Sequence, residues 1–253
     1  MEDKDFRQSE WFQRMNTVQQ KNIEKYDIIL LGILGSQGYG LSTPKSDLDL
    51  MGIFMMPLDD LFLENGKGVK IHIATPEENG VDLTLYDLKY YLHLVKKGSS
   101  TILELMFLSS YLLCKEEGKQ LLSSKDTFFN WNNIKNAYVG YLLSERKAAL
   151  RIDDLLKRKK SIRHCYRLML QGEDFLRTGN INVKISNPEE FMKQVDLFVN
   201  NEQFFNETIE QGIAKMDSMV FQPISENIDK NIDKFVLKIR KDYYLHGKTM
   251  EGL

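Results

Sequence analysis

The sequence predicts an α+β protein, with a sheet-containing N-terminal unit over residues 1–109 and an all-helical unit over residues 110–253. Three observations carry that reading. Asp27 to Leu34, DIILLGIL, is a short, continuously apolar run closed by Gly35, a pattern that favours a buried strand over a helix. Lys70 to Tyr86, KIHIATPEENGVDLTLY, alternates on both sides of a Pro, Asn and Gly turn and reads as an antiparallel hairpin. Beyond about Ser109 nearly every stretch carries helical spacing with few breakers.

Taken in order, the elements begin with a helix from Ser9 to Lys25, with Trp11, Met15, Val18 and Ile23 as its inner side. The Asp27 strand follows. Leu48 to Phe54 is a second strand, closed off by Pro57, and Asp59 and Asp60 start a short helix. The hairpin places Asp82 in its second arm. The helical half is expected to hold long helices around Asn133–Arg158, Ser161–Thr178, Pro188–Ala214 and Glu226–Leu245. Of these starts Pro188 is the strongest, because a first-turn proline after Asn187 is followed by Glu189 and Glu190. The aromatics Tyr90, Tyr91, Phe107, Tyr111, Phe128, Phe129 and Trp131 are expected in cores and at the domain interface.

Composition narrows the partners. A formal charge of -2 gives no global attraction to nucleic acid or to an anionic membrane, so a polyanion must be held by a local basic patch. The 2 cysteines, Cys114 and Cys165, lack the spacing of a zinc ribbon or a redox motif, as expected of a reducing compartment without disulfides. The N-terminus is charged where a secretory signal needs an apolar core, and no stretch approaches the roughly 20 apolar residues of a membrane span. A soluble, cytoplasmic protein with no membrane partner is the expectation.

The chemistry is concentrated in GSQGYGLSTPKSDLDLMGIF, Gly35 to Phe54. Asp47 and Asp49 are one residue apart, so on a strand both carboxylates share a face while Leu48 and Leu50 turn to the core. Two ionised carboxylates about 4 Å apart repel by roughly 4 kcal/mol at an effective dielectric near 20, which calls for a cation between them. Oxygen-only ligands suit Mg²⁺ or Mn²⁺, which complete their coordination with water and substrate phosphate. Gly35 lets backbone approach a phosphate, Ser36 adds a hydroxyl donor, and the amides opening the short helix from Gln37 can cradle the anion. Asp82, flanked by Val81 and Leu83, points away from them and is the natural third carboxylate to share a metal and activate a hydroxyl.

These residues resemble the signature of the DNA polymerase β-like nucleotidyltransferase superfamily: Gly35-Ser36, ten intervening residues, Asp47-Leu48-Asp49 and a later strand aspartate. More narrowly, that stretch with VDLTLYDLKYYLHLVKKGSSTILELMF and RHCYRLMLQGEDFLRTGNINV is similar to bacterial and phage nucleotidyltransferases, some linked to RNA repair. The resemblance spans about Asp27 to Val183. It implies a mixed sheet flanked by helices that binds an NTP with two divalent ions. Gly35 and Ser36 would be the phosphate-binding pair, Asp47 and Asp49 the metal pair, and Asp82 the third catalytic acid. Many relatives carry arginine after the serine, where this chain has Gln37, so a phosphate contact must come from elsewhere.

The candidate for that contact is KRKKSIRHCYRLML, in which Lys160, His164 and Arg167 share a helix face with Arg163 beside them. Such a cluster is a clamp for triphosphate or for an acceptor strand, or else a solvated face with partners such as Asp174. His72, His93 and His246 lack metal-ligand spacing and read as surface or packing residues. The expected reaction moves a nucleoside monophosphate from an NTP to a hydroxyl with release of pyrophosphate. An RNA or tRNA 3′ end is the preferred acceptor, with a protein side chain or a small molecule as the alternatives. The rivals are a catalytically silent nucleotide-binding regulator or antitoxin-like interaction protein, and a hydrolytic or kinase-type phosphotransferase. The absence of GxxxxGK[ST] and of a kinase catalytic loop excludes the familiar forms of the last.

Overall fold

The computed structural model describes residues 3–63, 68–75, 80–221 and 227–245. Along the chain run α1 (Asp3–Arg7), α2 (Glu10–Gln13), α3 (Thr17–Lys25), β1 (Asp27–Ile33), α4 (Gly35–Gly38), β2 (Leu48–Met55), α5 (Leu58–Leu63), β3 (Lys70–Ile73) and β4 (Val81–Asp87). There follow α6 (Leu88–Lys96), α7 (Ser100–Leu105), β5 (Leu113–Cys114), α8 (Glu116–Ser123), a 3-10 turn at Lys125–Phe128, α9 (Trp131–Leu150), α10 (Leu155–Thr178), α11 (Pro188–Asn200), α12 (Glu202–Asp217) and α13 (Ile228–Leu245).

The chain divides into two compact units, one of Met1–Val95, Leu108–Phe129 and Ser225–Leu253, the other of Lys96–Phe107 and Asn130–Ile224. This division is discontinuous, unlike the single boundary at 109 expected from the sequence. Two later segments return to the sheet unit for physical reasons. The β5 segment finds a ladder partner on β1, with Leu30 opposite Cys114. Helix α13 buries Ile228, Ile232, Val236 and Ile239, and its Arg240 reaches Asp87 at 3.3 Å.

Among the described residues the sheet has five strands in the order β3-β4-β2-β1-β5. It is mixed: β2 and β4 run parallel, and the other pairs are antiparallel. One face buries Leu48, Leu50, Phe54, Val81, Leu83 and Leu85 with Phe6, Met15 and Ile23 from the N-terminal helices. The other face carries Asp49, Asp82, Thr84 and Tyr86, the residues of opposite parity on β2 and β4. The expected hairpin is present as β3 and β4, and its turn residues 76–79 lie outside the described residues.

The single N-terminal helix expected from Ser9 to Lys25 is instead broken. Asn16 stops it by capping α3 in a reciprocal box, its side chain accepting from Gln19 N at 2.9 Å while its own amide donates to Gln19 Oε1 at 3.0 Å. The break shifts the helical phase. Val18, expected inside, is 57% exposed, whereas Met15 and Ile23 are buried and Trp11 packs half-buried on the core. Gln19 takes an inner place and donates to Ile73 O (2.9 Å) and Val81 O (2.5 Å), tying the ends of β3 and β4 to the helix.

The helical unit consists of α7 and α9 to α12. Its helices also restart where Asn or Asp offers a cap. Asp154, accepting from Lys157 N at 2.9 Å, begins α10 inside the expected Asn133–Arg158 helix. Asn201, accepting from Phe204 N at 3.0 Å, splits the expected Pro188–Ala214 helix into α11 and α12. The core includes Leu142, Ile162, Leu168, Phe175, Val195, Phe198, Phe205 and Ile209. Both cysteines are free thiols, Cys165 buried and Cys114 partly so. Burial raises the Cys165 thiol to about 12. Tyr91, Phe128 and Phe129 are core residues of the sheet unit, and Trp131 and Phe107 pack on Phe175 in the helical unit.

Candidate active site

The site end of the sheet is built where β1 turns into α4. Gly35 follows the strand with φ +61°, the left-handed region that a side chain disfavours. Its second constraint is steric. A Cβ there would lie 1.7 Å from Asp49 Oδ2 and 2.5 Å from its carboxyl carbon, so the Asp49 carboxylate rests against the bare Cα of Gly35. The neighbouring Leu34 amide donates to Asp49 O at 2.9 Å and fixes this approach. Ser36 and Gln37, in the first turn of α4, are half-buried beside it.

Asp82 stands next to Asp49. The two are register partners in the parallel β2/β4 pair, so their side chains leave the same sheet face from strands about 4.8 Å apart. Both are half-buried. Asp47 departs from the expectation. It lies just before β2 rather than in it and is exposed, since pairing of the strand begins at Leu48, whose amide donates to Gly80 O at 2.9 Å. Among the described residues no group of three or more His, Cys, Asp or Glu is gathered in metal-holding geometry. The structure thus brings Gly35, Ser36, Asp49 and Asp82 together and leaves Asp47 at the mouth. The donor set is oxygen-only and adjoins a bare backbone surface, which fits Mg²⁺ or Mn²⁺ with a phosphate.

A neighbouring aspartate is excluded from this chemistry. Asp87, 1% exposed at the opposite end of β4, accepts from Val69 N (2.9 Å), Lys89 N (3.0 Å), Tyr90 N (3.3 Å) and Arg240 (3.3 Å). It caps α6. Asp59 and Asp60 lie in the first turn of α5 as expected.

The basic helix is corrected on two of its four residues. Arg167 is buried and ion-paired with Glu104 at 2.6 Å, and Gln171 donates to the same oxygen at 3.0 Å while accepting from Tyr138 at 2.9 Å. Its charge is spent inside the helical unit. His164 is hydrogen-bonded with Tyr141 Oη at 3.0 Å, and burial, then the cations Arg167, Arg163 and Lys160, lower it to about 4. It is neutral at pH 7 and supplies no charge to a phosphate. Lys160 is exposed and Arg163 half-buried, while Arg158 and Lys159 pair with Glu202 and Asp196. Nothing in the sequence signalled Glu104 as the partner of Arg167, 63 residues away.

Of the histidines, His93 is exposed on α6, and His246 lies outside the described residues. His72, read as a surface residue, sits on the face of the two aspartates and bonds Thr84 at 2.9 Å. The parity of KIHI held the clue, since Ile71 and Ile73 take the core side.

Residues 8–233 match the family model RlaP, the RNA repair pathway DNA polymerase beta family. The chain belongs to the RlaP family. The mixed sheet with helices is the architecture expected of a member of a DNA polymerase beta family. It is 29% identical over 150 residues to an uncharacterized 38.9 kDa protein from the nrdC-mobD intergenic region of Enterobacteria phage T4, a match covering 51% of this chain and 43% of the relative. Two solved structures are similar to this RlaP member. One is the spectinomycin adenyltransferase AAD(9) from Enterococcus faecialis with ATP and spectinomycin (15% identity, TM-score 0.42, 91% of this chain and 99% of that one). The other is a nucleotidyltransferase-like protein from Exiguobacterium sibiricum (10% identity, TM-score 0.30, 91% and 79%). Among the described residues of this RlaP chain no helix is long and apolar enough to cross a membrane.

Proposed function

We propose that the chain transfers a nucleoside monophosphate from an NTP to the 3′ hydroxyl of an RNA end in a metal-dependent reaction. The observation that carries this reading is the paired register of Asp49 and Asp82 against the bare Cα of Gly35. Gly35 and Ser36 hold the triphosphate, with backbone close enough to donate to phosphate oxygens. Asp49 and Asp82, joined by Asp47 from the strand mouth, would hold Mg²⁺ or Mn²⁺, which supply charge neutralisation at the phosphates and acidify the attacking hydroxyl. The acceptor oxygen attacks the α-phosphorus in line. As that P–O bond forms, the bond from the α-phosphorus to the oxygen bridging to the β-phosphate breaks. Pyrophosphate leaves with the electron pair, and the hydroxyl proton passes to the Asp82 carboxylate. The RNA acceptor is supported by the family's description as belonging to an RNA repair pathway, and the net charge of -2 suits a short contact at an end better than a long duplex footprint.

The test incubates the purified chain with each α-labelled NTP, Mg²⁺ or Mn²⁺, and cellular RNA or protein. Label is expected in RNA with the wild type and not with Asp49→Asn or Asp82→Asn. Equal labelling by these variants overturns the assigned site. Nucleotide binding without transfer to any acceptor overturns the reaction and leaves a nucleotide-binding regulator.

A further inference from the structure

The order of the sheet gives the site a direction. Across one face, in the order β1, β2, β4, β3, lie the Gly35 turn at the end of β1, Asp49, Asp82 and then the edge strand. With the triphosphate on the Gly35 side, as the proposed function has it, the attacking hydroxyl comes from the β4 and β3 side.

That side carries a polar rim. Val69, just before β3, and Ile71 within it pack on the core, so Lys70 and His72 stand on the face of Asp82, both exposed. Antiparallel register puts His72 beside Thr84 and Lys70 beside Tyr86. The ring of His72 is fixed by its Nδ1 bond to Thr84 Oγ1 at 2.9 Å, which makes Nε2 the nitrogen available to meet an incoming group. Lys70 Nζ sits over the Tyr86 ring, 5.7 Å from its centroid, so its ammonium is kept on this face. Farther along, Tyr90 and Tyr91 pack against Tyr86 and close the face. Along that face Asp82, the Thr84/His72 pair and the Tyr86/Lys70 pair follow one another at about 6–7 Å per step, so an imidazole and then an ammonium lead away from the carboxylates. Phosphodiester oxygens match such donors, and successive phosphates of a strand leaving the site would meet His72 first and Lys70 next.

We propose that Lys70 and His72, the latter held by Thr84, form the acceptor-side rim of the site and grip the terminal phosphodiesters of the RNA strand whose 3′ hydroxyl reacts. This rests on the nucleotidyltransferase reading above and names the residues that select its acceptor. His72 is a positioning residue here, acting on the RNA backbone and not on the α-phosphorus.

The test compares the wild type with Lys70→Ala, His72→Ala, His72→Gln and Thr84→Val, using a single-stranded RNA oligonucleotide with a free 3′ hydroxyl and the NTP it accepts best. Each alanine variant is expected to raise the KM for RNA about tenfold, the loss of one charge-assisted or well-placed hydrogen bond, while the KM for NTP stays within about twofold. His72→Gln restores part of the RNA affinity, Thr84→Val loses part of it, and Lys70→Ala flattens the salt dependence of RNA binding. Wild-type kinetics for RNA in folded Lys70→Ala and His72→Ala variants overturn the rim and leave the transferase reading intact. Equal rises in the KM values for RNA and NTP overturn it too, since they signal a distorted site. Label carried by the wild type into protein and not RNA overturns both the rim and the RNA acceptor.

Discussion

Asp49 and Glu104 are both acidic side chains drawn out of bulk water, and they are treated in opposite ways. Glu104, 0% exposed in the helical unit, is met by the guanidinium of Arg167 and the amide of Gln171, itself held by Tyr138. Asp49, in the sheet unit, is set beside a second carboxylate and against a glycine that makes room for it. One unit uses a buried charge to lock helices together. The other sets two carboxylates side by side on one sheet face against a bare backbone Cα, an oxygen-only donor set that suits a hard cation. Asp87 shows that the sheet unit also satisfies a carboxylate fully where structure is the purpose, with three amides and Arg240 around it.

The comparison breaks most cleanly at the largest effect. Replacing Asp49 or Asp82 by Asn removes a ligand charge and is expected to lower transfer by about a thousandfold or more, the scale of several kcal/mol of lost transition-state stabilisation. The change keeps size and shape, so the melting temperature should stay close to the wild type and the loss should be one of chemistry. A variant that loses activity only because it unfolds would erase the distinction between the two carboxylates.

Glu104→Gln should do the reverse. Leaving Arg167 buried without its charge partner is expected to cost about 3–5 kcal/mol in urea unfolding. Changing both partners, as Glu104→Leu with Arg167→Met, should recover most of that loss, because two apolar groups of similar size need no desolvated charge. If the double variant is no better than the single one, the remaining network of Gln171 and Tyr138, rather than the ion pair, carries the stability.

How much of this was legible in the sequence follows from which forces act locally. The β1 run and the parity of Asp49 and Asp82 were readable because strand side chains alternate regardless of what lies across the sheet, whereas Asp47 was not, because pairing of β2 begins only at Leu48. Gly35 was readable because its turn follows directly on an apolar strand. The helix breaks were missed at Asn16, Asp154 and Asn201, where a cap interrupts an apolar period that continues through it. Glu104 as the partner of Arg167 and Arg240 as a partner of Asp87 come from elements far along the chain. Helical spacing alone grouped Arg167 with Lys160 and Arg163, and nothing local told a buried pair from a phosphate clamp.

His164 offers a pH handle on the helical unit. Its imidazole titrates near 4 in the fold and near 6.5 in a model peptide, so between those values the unfolded chain holds the extra proton. This contribution is whole above about pH 6.5, declines as pH falls and levels off below about 4. Arg167, Arg163 and Lys160 act on the ring as cations, with Tyr141 as its hydrogen-bond partner. The loss is up to about 3 kcal/mol, reduced by the ring's partial exposure. Unfolding free energies of wild type and His164→Gln between pH 7 and 4 check this: the difference between them should close in acid, and parallel curves would refute the assignment.

The smallest effect separates a local cap from one that also serves the site. Asn201→Ala removes one acceptor from the first turn of α12 and should cost about 1 kcal/mol, with transfer activity unchanged. Asn16→Ala removes a comparable acceptor, but its capping partner Gln19 also holds Ile73 O and Val81 O, the ends of the hairpin that presents His72 and Asp82. Freeing Gln19 from the box loosens that grip, so a similar loss of stability should come with a severalfold rise in the KM for RNA. Equal behaviour of the two variants in the transfer assay would mean that the hairpin is held by its ladder alone and that α3 only covers the core.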